Sequence, residues 1–543
     1  MNHIKKDISD GLQEEGVGEF NITAEEVLAA TELIKTKKMD GDKGLCSNNI
    51  IHAPHSMYEH ISKMLTSMCV HGTTPEDLLT STIISVPKDS MGDLSDSQNY
   101  RGIALTSCLN KIYDHIIILK YGHTLHTSDL QFSFKEKHST VMCNLSLKEI
   151  IQYYNNRGSK VYCCMLDASK AFDRLRYDKL FALLMERGLP LIIIRQLIDS
   201  YERQMARTKW SLGMSAYFHV TNGIRQGGVV SPLLYTVYAD ELLKRLQCAG
   251  IGCHIGHMYA GTLCYADDTA LLCPSIKGLQ KMLDICEEFG KEYDVLFNER
   301  KTACICFARD HQMKEFHVTL NGHVLNCETS VKHLGIITSF NLDDALDINA
   351  KRGDLIGRCN HILNKYKSFT SDVQSHMIET YCTHLYGCET WRYKSKHIRN
   401  IFTTWHVALR KAWDLPPMSH RFFLPGLANT EHISVKVYRR FMRLFKSMQA
   451  SHNKVVQLIA VNALSDPRSY INGNIQHISM EMDIPFELLV NGAVGMLKTS
   501  FSEEQLQTIS LLTEIKFCLE GREDVPGFST EERADIYATA SVI

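Results

Sequence analysis

Apolar and polar positions along the chain predict a mixed architecture. Thr23 stands before 24–38, where apolar positions return every three or four residues behind Glu25 and Glu26, and this predicts a helix capped by Thr23. A second helix is predicted over 56–70. The β-branched stretch 78–86 predicts a strand that stops at Pro87. At 161–166 the pattern changes to an unbroken apolar run, the signature of a strand buried on both faces, and it leads straight into Asp167. Residues 178–205 read as helical and break at Gly188-Leu189-Pro190. A helix over 233–246 follows Pro232, and a hairpin over 262–273 carries its polar tip at Asp267-Asp268. A helix over 276–293 and short strands up to 337 come next. Beyond 349 the chain reads as mostly helical, and its last sixty residues as acidic amphipathic helices. No repeat of fixed period occurs, which excludes solenoids and propellers.

Length and composition narrow the class without naming a function. The 543 residues correspond to three or four domains at about 150 residues each. With 44% apolar and 22% charged residues, the chain is neither disordered in the main nor a collagen-like or disulfide scaffold. No run of eighteen uncharged apolar residues occurs, so no membrane partner is expected, and Met1 to Asp7 lacks the apolar core of a secretory signal. Eighteen cysteines, adjacent only at Cys163-Cys164 and Cys304-x-Cys306, read as reduced thiols of an intracellular protein, in nucleus or cytoplasm. The net charge of −2 hides an uneven distribution. Residues 351–450 hold seventeen Lys/Arg against six Asp/Glu, and 481–543 hold four against twelve. The basic stretch suits a polyanion, or equally a solvated helical face. Trp391, Trp405 and Trp413 among these basic residues fit either a clamp on a nucleic-acid duplex or a helical core.

The candidate chemistry is three acids at strand ends. Asp167 follows the buried run, and Asp267 and Asp268 sit at the hairpin tip, so pairing of the two strands would gather all three. Such a cluster of like charges needs a cation, and hard oxygen ligands suit Mg²⁺ shared with phosphate oxygens. Two such ions can activate a 3′-hydroxyl and stabilise leaving pyrophosphate. The plain alternative is a turn pair and an unrelated strand-end cap.

The company these acids keep decides between the two. In chain order stand Asn99-Tyr100-Arg101-Gly102-Ile103-Ala104-Leu105, Leu166-Asp167-Ala168-Ser169-Lys170-Ala171-Phe172-Asp173, and Asn222-Gly223-Ile224-Arg225-Gln226-Gly227-Gly228-Val229-Val230-Ser231-Pro232. Tyr265-Ala266-Asp267-Asp268, Asn298-Glu299-Arg300-Lys301-Thr302 and His333-Leu334-Gly335 complete the series. Six ordered blocks at these spacings closely resemble the reverse transcriptase domain of non-LTR (LINE-type) retrotransposons, in particular the jockey-like branch. The resemblance covers about residues 20–345 by motif and runs more loosely to about 450.

The resemblance implies an α+β right-hand polymerase of fingers, palm and thumb with a mostly helical C-terminal third. Residues 1–79 would be an N-terminal helical extension, 80–345 fingers and palm, 346–450 a basic helical thumb, and 451–543 an acidic helical tail without an assigned role. It implies RNA-directed DNA polymerisation, with dNTPs added to a DNA primer on an RNA template. Asp167, Asp267, Asp268 and the carbonyl of Ala168 would hold two Mg²⁺, or Mn²⁺ in their place. Arg101 and the weaker Lys88 would grip the triphosphate, Phe172 would exclude a 2′-hydroxyl, and Gln226 and Gly227 would lie beside the nucleotide. Lys301 would act as general acid for pyrophosphate departure, and His333, Leu334 and Gly335 would form the primer grip. Nicking of a target would fall to a separate endonuclease or a pre-existing 3′ end. The rival reading is a catalytically inactive, nucleic-acid-binding retrotransposon relic.

Overall fold

The structure, a computed structural model, describes residues 1–15, 20–39, 44–211, 213–308, 315–492 and 494–498. Of the acidic helices expected at the C-terminus, those beyond 498 lie outside the described residues. At the centre stands the strand Val161–Leu166. Successive side chains of a strand point to opposite faces. Val161, Cys163 and Met165 therefore enter one hydrophobic core, and Cys164 and Leu166 enter another. Burial on both faces is what the unbroken apolar run predicts. Asp268–Cys273 and Ala303–Phe307 flank this strand, both antiparallel to it, and Thr262–Tyr265 and Asn326–Cys327 complete the five-stranded sheet. Cys304 and Cys306 of the flanking strand are buried core thiols.

A second sheet runs in the order Tyr100–Leu105, Thr80–Pro87, Met205–Trp210, Gly213–Met214, with Phe218–His219 also paired to Met205–Trp210. The helical stretch expected over 178–205, broken at Gly188-Leu189-Pro190, is found in two pieces. The structure has helices Tyr177–Glu186 and Leu191–Glu202, and the chain then leaves helix because Met205–Trp210 pairs in parallel with Thr80–Pro87. A partner distant in sequence overrides the local pattern.

One core joins helix Thr140–Asn156 to the helices that follow Ala345. The other gathers the N-terminal helices with Leu191–Glu202, Ser231–Ala249 and Ile276–Tyr293. Two buried polar links tie the C-terminal helices to Thr140–Asn156. Lys148 Nζ lies 2.6 Å from Asp344 Oδ1 and donates to the Thr390 carbonyl at 3.1 Å. Glu149 accepts from the Ile471 amide at 2.7 Å, at the start of helix Tyr470–Met482. Trp391, Trp405 and Trp413 are interior, and two of their indoles donate to Asp347 and Ser375. They belong to the helical core and have no face free to stack on a duplex. Among the described residues no helix is long and apolar enough to cross a membrane.

Candidate active site

The register of the central sheet assembles the acids. Leu166 pairs with Thr269, and Tyr265 pairs with Asp268 across the hairpin. The next residue of the central strand, Asp167, thus lies at the sheet edge occupied by Asp267 and Asp268. The hairpin turns through Ala266, whose φ of +58° is left-handed, and the Ala266 amide donates to the side-chain carbonyl of Gln131 at 3.0 Å. Asp167 is pinned from the other side. Its carbonyl accepts from the Asn298 amide at 2.8 Å, and its amide donates to Thr302 Oγ1 at 3.3 Å. Asn298 Oδ1 also accepts from the Arg300 and Lys301 amides, so this tight loop delivers the exposed Lys301 side chain beside the acids.

Asp167, Ala168 and Asp267 line a cleft of about 1100 Å³ whose other walls include Lys88, Arg101, Phe172, Gln226, Gly227 and Lys301. Asp268 adjoins it on the hairpin. Arg101 is exposed on the second sheet, and Lys88 nearby donates to the Gln98 carbonyl at 3.0 Å. The Phe172 ring is stacked on Tyr235 with centroids 4.2 Å apart. Gly227 has a φ of +122°, and a Cβ there would stand 2.5 Å from the Ala104 carbonyl oxygen. Only glycine lets this loop approach the second sheet, where the Ala104 amide donates to the Gln226 carbonyl at 2.6 Å. The Gln226 side chain donates to Asp173 Oδ1 at 2.8 Å. Behind the loop, Asp114 Oδ2 accepts from the amides of Val229 and Val230, and burial pushes its carboxyl up to about 6.

Electrostatics tests the site for a cation. Burial raises Asp267 above the usual carboxylate range, with Asp167 adding to the rise and Arg101 opposing it. Asp268 is pushed up to about 6 by burial, then by Asp267 and Asp167. Partly desolvated carboxylates that destabilise one another's charge lack countercharge. A divalent cation on hard oxygen donors would supply it, although among the described residues no three His, Cys, Asp or Glu side chains stand close enough together to hold an ion.

Residues 86–338 match the family described as reverse transcriptase (RNA-dependent DNA polymerase). Over those residues, a little under half of the chain, the sequence is similar to reverse transcriptases. Across 458 residues it is 24% identical to the probable RNA-directed DNA polymerase from transposon BS of Drosophila melanogaster, covering 80% of this chain and 49% of that protein. Across 334 residues it is 28% identical to the RNA-directed DNA polymerase from mobile element jockey of Drosophila funebris, covering 58% and 35%. The chain thus spans half or less of the length of these relatives. Among solved structures, apo telomerase from Candida tropicalis, truncated from its C-terminal domain, is similar with a TM-score of 0.36 and 13% identity, covering 53% of this chain and 60% of that one. A likeness that distant carries no weight here. The mixed helix-and-strand fold, with its acids at the edge of a sheet buried on both faces, agrees with the α+β class that the sequence resemblance implies.

His333, Leu334 and Gly335 stand apart from the cleft. They form the tight end of the hairpin Ser330–His333 and Ile336–Ser339, with φ of +46° and +79° at Leu334 and Gly335. His333 is buried, faces Asn144 Oδ1 at 3.1 Å, and is held down to about 4 by desolvation. The Tyr386 hydroxyl donates to the Leu334 carbonyl and accepts from Thr140 Oγ1, which fastens this hairpin to the start of helix Thr140–Asn156. The sequence reading missed Gln131, Asp114 and Tyr386. Gln131 had a usable signal, a lone amide side chain between apolar Leu130 and Phe132. Asp114 and Tyr386 had none.

Proposed function

We propose that the chain is an RNA-directed DNA polymerase that extends a DNA primer on an RNA template with dNTPs. The reading rests on one observation, the convergence of Asp167, Asp267 and Asp268 at one sheet edge, with Asp167 and Asp267 lining a cleft that also holds Arg101 and Lys301. Asp167, Asp267, Asp268 and the Ala168 carbonyl would hold two Mg²⁺, or Mn²⁺, which when bound activate the primer 3′-hydroxyl and neutralise charge on the phosphates. Arg101 and Lys88 bind the triphosphate, and Arg101 offers a planar fork that a lysine lacks. Phe172, braced by Tyr235, closes the space a 2′-hydroxyl would need. Gln226 and Gly227 bring backbone and amide against the nucleotide. Lys301 holds a proton for the departing pyrophosphate. The hairpin of His333, Leu334 and Gly335 supports the primer strand.

Primer extension on an RNA template with dNTPs and Mg²⁺ tests the proposal, beside Asp267→Asn. Extension by the native chain and its loss in the variant are expected. Native protein that binds template–primer yet adds no nucleotide, or a variant that extends as well as native, refutes it.

A further inference from the structure

The segment that braces the Asp267 turn ends in a residue with no evident structural reason to be where it is. Leu130, Gln131, Phe132 and Ser133 are all buried. Phe134 then turns outward, 50% exposed, into the cleft that holds Asp167 and Asp267. Among the described residues thirteen non-glycine residues take left-handed backbone, and Phe134, at φ +54°, is the one aromatic among them. For a bulky side chain this conformation is an outlier that persists only where its surroundings enforce it. Here they do. The Gln131 carbonyl accepts from the Ser133 amide at 3.1 Å, from Ser133 Oγ at 2.8 Å and from the Ala266 amide at 3.0 Å. On the other side, Lys135 Nζ donates to the carbonyls of Thr127 and Ser128. One buried amide thus fixes both the turn before Asp267 and the turn that presents Phe134.

Two unfavourable features, strained backbone and an apolar ring left in water, coincide at one position of the cleft. The part of a nucleic acid that matches a flat apolar face is the base. We propose that Phe134 is a stacking platform for a nucleobase of the template–primer at the point of synthesis, held there by Gln131. The inference rests on the polymerase reading above. The base is either the templating base or the one at the primer terminus, and the chemistry of the contact is the same.

The test uses the full chain, Mg²⁺ and an RNA-template–DNA-primer ended by a dideoxynucleotide, with 2-aminopurine at the templating position or at the primer terminus. Phe134→Gly removes the ring and suits the left-handed backbone, so its Tm should be no lower than that of the native protein. Its affinity for template–primer should fall about 5- to 150-fold, the equivalent of ~1–3 kcal/mol for one base on one ring. Phe134→Trp should restore binding. The 2-aminopurine emission should respond to Phe134→Gly at one position, and that position identifies the base. Native affinity and unchanged emission in Phe134→Gly overturn the platform while the polymerase reading stands, and so does a loss of affinity that comes with a lowered Tm and is not restored by Phe134→Trp. Failure of the native chain to bind template–primer overturns both.

Discussion

Replacing Gly227 by alanine isolates the close approach between the loop of Gln226 and the second sheet. At φ +122° the alanine enters a region essentially reserved for glycine, which costs about 1–3 kcal/mol. Its methyl would also stand 2.5 Å from the Ala104 carbonyl oxygen, a backbone atom that cannot swing aside. The loop must therefore withdraw, which stretches the 2.6 Å bond from the Ala104 amide to the Gln226 carbonyl, a bond worth about 0.5–1.5 kcal/mol net. Together these give a destabilisation of about 2–4 kcal/mol. A withdrawal of about 1 Å would also cost about 100-fold in nucleotide addition, because Gln226 travels with the loop. Gly158→Ala is the control. It is also left-handed, at φ +81°, but nothing lies within 4 Å of the added methyl, so it should lose about 1–2 kcal/mol and no activity. Urea unfolding and single-nucleotide extension read the two effects. Equal losses of stability in both variants, or native extension rates in Gly227→Ala, would refute the steric argument.

Gln131→Ala should lower the rate of nucleotide addition about 10- to 100-fold with little change in KM for dNTP, because the amide fixes the Ala266 turn; a KM effect alone would count against it. Burial raises Glu149 to about 7 in the fold, so the folded state binds its proton more tightly than the unfolded chain does. Its contribution to stability is present below about pH 4.5 and is lost as pH rises through about 7. Glu149→Gln keeps an acceptor for the Ile471 amide and should gain up to about 3 kcal/mol over native between those limits; a difference in Tm that stays flat from pH 4.5 to 8 would contradict this. Lys148→Met strands Asp344 among apolar neighbours and should cost about 3–5 kcal/mol in chemical unfolding. Adding Asp344→Asn should recover part of that loss, and a fully additive double variant would show the pair to be uncoupled.

The parts of the fold legible in the sequence are those set by local pattern. The run at 161–166 announced a strand buried on both faces, and the cap at Thr23 closes a capping box with Glu26. The helical stretch expected through 205 stops at Glu202, three residues short, because a partner 125 residues earlier decides the backbone at Met205, which pairs with Thr80. The tryptophans beyond 390 were ambiguous for a related reason. A helix with a basic exterior and an aromatic interior has the same composition as a nucleic-acid clamp, and only the packing of Lys396–Ala412 and Ile433–Gln449 separates the two.

The site divides along the same line. Residues that face the cleft announce themselves in short blocks, because strand ends and tight turns place them and both are local. The residues that hold those blocks carry no local mark. Gln131 reaches Ala266 over 135 positions and Asp114 reaches Val229 over 115. Each is a single acceptor aimed at amides that a turn leaves open, a need that exists only once the chain has folded. Gln131 sits behind the acids, where a substitution moves a carboxylate without touching it, and Asp114 sits behind the Gln226 loop. For this reason Gln131 should separate catalysis from nucleotide affinity, whereas Arg101, which opposes the rise in Asp267 from across the cleft, should change both.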